Sequence, residues 1–159
     1  MEDATQYEIT LVERERQDTA VVCGRVEHGG FPAFLGAAFG EVIAAVGVDA
    51  VAGPPFCRME MDGDVFLVEA GFPVGAPIEA SGRVEPSSLP AGPAATVMNV
   101  GPYETVAPAY FAVEAWLREH GWAPAGAPWE SYLDGPEVAA PRTLVTWPCR
   151  REESAPDEG

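Results

Sequence analysis

The chain has no lysine. All nine basic residues are arginine, against 25 acidic residues, and the formal net charge is −16. Such a surface repels phosphate backbones, so direct nucleic-acid binding is not expected. It attracts cations and basic partners instead, although an acidic surface also serves solubility alone. Histidine is nearly absent, with only His28 and His120, far apart in the sequence. His120 ends a helix-like run, where a cationic side chain suits the helix dipole. Three cysteines, Cys23, Cys57 and Cys149, are widely spaced. They form no CxxC and no Cys/His grouping with zinc spacing, so they read as reduced thiols packed as small apolar residues. No metal and no cofactor is expected, and the two unpatterned histidines give no support to a haem. No stretch approaches ~20 apolar residues, which excludes a transmembrane helix and a membrane partner. The acidic start, Met1 to Gln6, lacks the basic and apolar segments of a secretory signal, so a cytoplasmic protein is expected.

The 159 residues are 47% hydrophobic and 21% charged, which suits one soluble domain with a real core. Residues 1–6 and the acidic tail 150–159 read as disordered, since neither can offset its ordering entropy. Between them, residues 7–149 alternate short strands with two helical runs. Tyr7, Ile9 and Leu11 alternate with Glu8 and Thr10, and 20–26 is a second strand. Pro32 fits a first helical turn, the apolar spacing from Phe31 to Val46 is helical, and Gly47 stops it. Strands follow at 56–61 and from Val65 toward Val74, joined at Asp62-Gly63, a hairpin signal. Further strands are expected near 83–89 and 94–100. A helical stretch then runs from Gly101 to His120, with the helix proper expected at Pro108, which would kink a longer one. Residues 123–128 read as a loop, 129–133 as a strand, and 144–147 as the last strand, closed by Pro148.

The order β-β-α-β-β thus occurs twice, in halves 7–75 and 81–149. An offset of 74 lays Ala20–Gly47 on Ala94–Gly121 without a gap and makes the two helix-ending glycines coincide. The expected fold class is α+β: two tandem β-α-β-β units with pseudo-two-fold symmetry, an antiparallel sheet with two helices, and a central ligand pocket. The same offset sets Phe56 on Glu130 and places both near the central cleft.

The segment Trp129-Glu130-Ser131-Tyr132 puts one carboxylate among aromatic rings. On a strand, Glu130 and Tyr132 share one face and Trp129 and Ser131 the other. If the Glu130 face points inward, a negative charge sits in an aromatic pocket suited to a flat, bulky cation. The plainer reading is an ordinary exposed glutamate on a solvated strand.

The ordered set Val100-Gly101-Pro102-Tyr103-Glu104, Ala109-Tyr110, Trp116-Leu117, Gly121 and Trp129-Glu130-Ser131-Tyr132 resembles the GyrI-like small-molecule-binding domain. Gly53-Pro54-Pro55-Phe56 and Trp147-Pro148 fit the same pattern. The resemblance implies a pocket for bulky aromatic or cationic compounds, with Glu130 as its acidic residue. It also implies kinship with effector domains of AraC- and MerR-type regulators, with gyrase-binding proteins, and with hydrolases of strained cyclopropane-bearing genotoxins. No DNA-binding domain fits before residue 7, so a stand-alone binder, an enzyme, or a partner of another protein is expected.

Three functions follow. In the first, Glu130 supplies charge; Tyr132, Tyr110, Trp129 and Phe56 supply rings; Met59 and Met61 supply adaptable contact, with plain core packing as the alternative for each Met and Phe. In the second, Glu130 acts as a base toward water and Tyr132 or Tyr110 steadies an oxyanion. No Ser-His-Asp or Cys-His signature offers another route. In the third, the acidic surface occupies a protein partner such as gyrase or a regulator.

Overall fold

The computed structural model describes residues 7–27, 29–101, 106–135 and 137–152. The expected disordered start, most of the expected tail, His28 and Pro102-Tyr103-Glu104 of the family-like run lie outside the described residues. Within them the strands are β1 (Thr10–Arg14), β2 (Gln17–Glu27), β3 (Phe56–Asp62), β4 (Val65–Pro73), β5 (Val84–Leu89), β6 (Gly92–Val100), β7 (Trp122–Pro124), β8 (Trp129–Tyr132) and β9 (Arg142–Arg151). The helices are α1 (Phe31–Val46) and α2 (Ala107–Glu119). The fold is α+β, as the sequence indicates. No described helix is long and apolar enough to cross a membrane.

Local chemistry sets the element ends. Pro32 and Pro108 occupy first helical turns, where a missing N–H costs nothing. Gly47 and Gly121, at φ 86° and 81°, end α1 and follow α2 in a backbone region that L side chains rarely adopt. Gly63, at φ 64°, turns the β3–β4 hairpin.

One open antiparallel sheet runs β1-β6-β9-β8-β3-β4-β2-β5, with β7 added beside the end of β9. Its two halves are β5-β2-β4-β3 with α1 and β1-β6-β9-β8 with α2. They join where β3 pairs with β8: Phe56 opposite Ser131, Cys57 opposite Glu130, and Arg58 opposite Trp129. The first strand of each half has crossed over. β1 pairs with β6 of the second half, and β5 pairs with β2 of the first.

Both helices lie on one face of the sheet. Under α1, Ala38 and Val42 pack on Ala20, Val22, Cys57, Val68 and Ala70. Under α2, Ala109, Val113 and Leu117 pack on Ala95, Val97, Val145 and Cys149. The opposite face carries a smaller cluster of Val21, Phe56, Leu89 and Trp129. It also carries the ion pair of Arg58 with Glu69, to which Ser87 donates a hydrogen bond.

Two segments differ from the expectation. β9 does not stop at Pro148; it continues to Arg151 because β7, expected as loop, pairs with its end. The Pro148 carbonyl accepts from the Ala125 N–H at 2.8 Å, and the Arg151 guanidinium lies 5.0 Å from the Trp122 ring centre. The 74-residue overlay is also one residue short. Gly24 and Val68 face each other in β2–β4, and Asn99 and Thr143, each 75 residues on, face each other in β6–β9. An odd spacing matters because a one-residue slip moves every strand side chain to the other face. In the β3–β8 register itself, Glu130 stands opposite Cys57, and Phe56 stands opposite Ser131.

Candidate functional site

β8 is a four-residue strand at the centre of the sheet, paired on both sides. A side chain there has a neighbour on each flank: Cys57 on β3 and Val145 on β9 stand beside Glu130. On the helix face Glu130 is enclosed, with only 7% of its surface exposed. Tyr110, from the first turn of α2, donates its hydroxyl to Glu130 Oε2 at 2.7 Å. Tyr132, two residues along β8, donates to Oε1 at 2.9 Å. Each carboxylate oxygen thus has a phenol donor. Among the described residues, no arginine or histidine pairs with it.

Rings extend this pair toward both helices. Tyr132 meets Phe39 of α1 edge-on at 6.3 Å between centres, and Tyr110 meets Trp147 of β9 at 5.9 Å. Phe39 also packs against Phe72 at 5.6 Å. The carboxylate therefore sits between the two helices in an aromatic setting.

The electrostatics follow from burial. Loss of water pushes the Glu130 carboxyl above the usual carboxylate range, and the two tyrosine bonds pull it part of the way back. Tyr110 and Tyr132 are raised, first by burial and then by the Glu130 charge. The Cys57 thiol is raised by burial and by the same charge, which makes it a poor nucleophile.

The structure brings together Glu130, Tyr132 and Tyr110. Met59 lies on the same face, packed in the α1 cluster. Met61 shares that parity but sits near the hairpin end, 61% exposed. Phe56 and Trp129 are on the other side of the sheet, packed with Val21 and Leu89, and the Arg14 guanidinium covers Trp129 at 4.9 Å. Three residues join the site that sequence reasoning passed over: Cys57, Phe39 and Trp147. The alternation of β3 offers either Phe56 or Cys57 to the helix face, and only the register selects Cys57.

A cavity of about 520 Å³ opens on the helix-free face, lined by Cys23, Arg25, Arg58, Glu60, Leu67 and Glu69. It is on the opposite side of the sheet from Glu130. The candidate site at Glu130 therefore rests on its chemistry and not on open volume.

Two exchanged β-β-α-β-β units, with one acid buried between their helices, define a double-unit α+β domain. Residues 7–146 match the GyrI-like small molecule binding domain, and the chain belongs to that family. No curated protein matches the chain by sequence. Among solved structures, the EcmrR C-terminal domain is similar at 22% identity and a TM-score of 0.70, over 92% of this chain and 99% of that one. A hydrolase from Listeria innocua is similar at 14% identity and a TM-score of 0.61, over 92% and 94%. SAV2435 bound to tetraphenylphosphonium is similar at 16% identity and a TM-score of 0.54, over 92% and 94%. Identities this low establish a shared fold.

Proposed function

We propose that the protein binds bulky aromatic or lipophilic cations, with Glu130 as the counter-charge and Tyr110, Tyr132, Phe39 and Trp147 as the surrounding rings. The observation that carries this reading is a buried carboxylate with two phenol donors and no cationic partner among the described residues. Burial makes the charge costly, and a bound cation relieves that cost while its flat or bulky body covers ring surface. A neighbour of the same fold is described as bound to a lipophilic cation.

The test is a titration of wild type and Glu130→Gln with tetraphenylphosphonium and with ethidium, followed by calorimetry or fluorescence. Binding by wild type in the micromolar range, weakened about tenfold or more in Glu130→Gln (~1.4 kcal/mol), is expected. Equal binding by both proteins overturns the assignment.

A second reading rests on the raised proton affinity of Glu130, which suits a general base. In it Glu130 takes a proton from water, while Tyr110 or Tyr132 donates to the developing oxyanion. The similar Listeria protein is described as a hydrolase. Turnover of a strained electrophile by wild type, abolished in Glu130→Gln, favours this reading; tight binding without turnover favours the first.

A further inference from the structure

The two halves differ in polarity at one pair of positions on the helix face. In the first half the place is apolar: Gly24 faces Val68, and the Phe34 ring lies so close that a Cβ on Gly24 would meet it at 2.6 Å. In the second half the corresponding pair is Asn99 and Thr143. Both are buried, at 3% and 0% exposure. Among the described residues, Asn99 Nδ2 and Thr143 Oγ1 have no hydrogen-bond partner, and neither has Trp147 Nε1 on the same face. Protein interiors satisfy nearly all buried polar atoms. Of the four such atoms among the described residues, three gather here, and the fourth, Thr19 Oγ1, lies on the helix-free face of the first half; the cluster needs an explanation.

Their position supplies one. Thr143 faces Tyr132 across β8–β9 and Asn99 across β6–β9, so the three side chains form one row over three strands. Glu130 precedes Tyr132 by two residues on the same face, which makes Thr143 its diagonal neighbour at about 7–8 Å. Asn99 is two strand spacings, ~10 Å, from Tyr132. Trp147, whose ring meets Tyr110, closes the other side of Glu130. The orphaned groups therefore border the carboxylate and its tyrosines. Two of them, the Asn99 amide and the Trp147 indole, carry N–H donors, and the Thr143 hydroxyl can donate as well.

We propose that Asn99, Thr143 and Trp147 form a donor wall of the Glu130 site, and that its ligands carry a hydrogen-bond acceptor as well as a cationic aromatic body. The acceptor is a carbonyl, ether or hydroxyl oxygen set on the order of 7–10 Å from the cationic centre. This inference rests on Glu130 being the ligand's counter-charge. It adds that the second half reads polarity, while the first half supplies shape through Phe39 and Phe72.

The experiment compares two xanthene cations: rhodamine 6G, whose ester carbonyl stands off the ring system, and pyronin Y, which lacks that ester. Fluorescence titrations are run on wild type, Thr143→Val, Asn99→Ala and Glu130→Gln. Tighter binding of rhodamine 6G than of pyronin Y by wild type is expected. Thr143→Val and Asn99→Ala should each weaken rhodamine 6G about five- to tenfold and leave pyronin Y within twofold. Glu130→Gln should weaken both dyes together. If Glu130→Gln weakens both dyes and the wall variants do not discriminate between them, the donor wall is refuted and the binding site stands. If wild type binds neither dye, or Glu130→Gln changes neither, both readings fall. Thr143→Val conserves shape, so its melting temperature also reports on the wall. A rise with unchanged dye preference means that the orphaned hydroxyl served no ligand.

Discussion

Replacing Glu130 by glutamine should stabilise the ligand-free protein at neutral pH and weaken its hold on cations. Shape is conserved, so the main change is the loss of a buried charge. Glutamine Oε1 accepts from one tyrosine hydroxyl, and its amide donates to the other once that hydroxyl turns, so both bonds persist in weaker form. The wild-type carboxyl is raised because burial outweighs those bonds. A raised acid holds its proton more tightly in the folded state. Its contribution to stability therefore falls as pH climbs from the usual carboxylate range through the raised value, and the penalty is fully present above that value. Replacing buried ion pairs by neutral side chains of similar volume ranges from neutral to stabilising by about 1–4 kcal/mol, which sets the scale for removing this charge. Taking ~1–2 kcal/mol, because two hydrogen bonds are weakened, the melting temperature should rise about 3–6 °C at pH 7.5. At pH 4, where the wild-type group is protonated, the gap should close. The proposed cation binding should have the opposite dependence: a ligand that favours the charged form should release a proton and bind more tightly as pH rises through the same window. Thermal unfolding of both proteins at the two pH values is the assay. A variant that melts lower at pH 7.5, or a gap that is as wide at pH 4, refutes the account of Glu130 as a strained, uncompensated charge.

Two further substitutions probe the surroundings. Tyr110→Phe removes the 2.7 Å donor and leaves Glu130 Oε2 without its bond; a loss of about 1.5–3 kcal/mol at pH 7.5, smaller at pH 4, should appear in thermal unfolding. Gly71→Ala places a Cβ at 1.9 Å from the Ala20 carbonyl oxygen and 2.8 Å from Val21 Cα, both backbone; forcing β2 and β4 apart should cost at least the upper end of about 1–3 kcal/mol, read from the urea midpoint.

Much of this architecture was legible in the sequence because the signals are local. Proline in a first turn, glycine at a helix end and apolar alternation mark α1, α2 and most strands without reference to the rest of the chain. Glu130 and Tyr132 share a face by simple alternation, so their pairing was readable too. What local signals do not carry is register. A gap-free overlay of 74 residues aligns the glycines after the helices, yet the strands answer to each other at an odd spacing. The β3–β8 register, likewise carried by no local signal, sets Cys57 and not Phe56 beside Glu130. Trp129 has an aromatic side chain next to the acid in sequence but is turned to the far side of a strand, where Arg14 covers it. Phe39 and Trp147 entered the site from a helix and a strand remote in sequence, and no short motif joins them to Glu130. β7 is three residues long and exists because β9 overruns Pro148 to meet it.

The crossing of β1 and β5 has a consequence for what counts as a unit. Each half lends its first strand to the other's sheet and receives one in return. Cut between residues 75 and 81, the chain would yield two pieces, each with an unpaired β2 or β6 edge and a stray strand of the right sequence for its sibling. Each piece would therefore lack a strand that the whole chain supplies, and the complete sheet belongs to the pair. A single unit of this kind, encoded alone, would meet the same demand by pairing with a second copy of itself. The chain can be understood as such a dimer written on one polypeptide, in which fusion freed the two members to diverge. At the shared seam they differ: the second half carries Glu130, and the position 75 residues earlier in the first is Pro55.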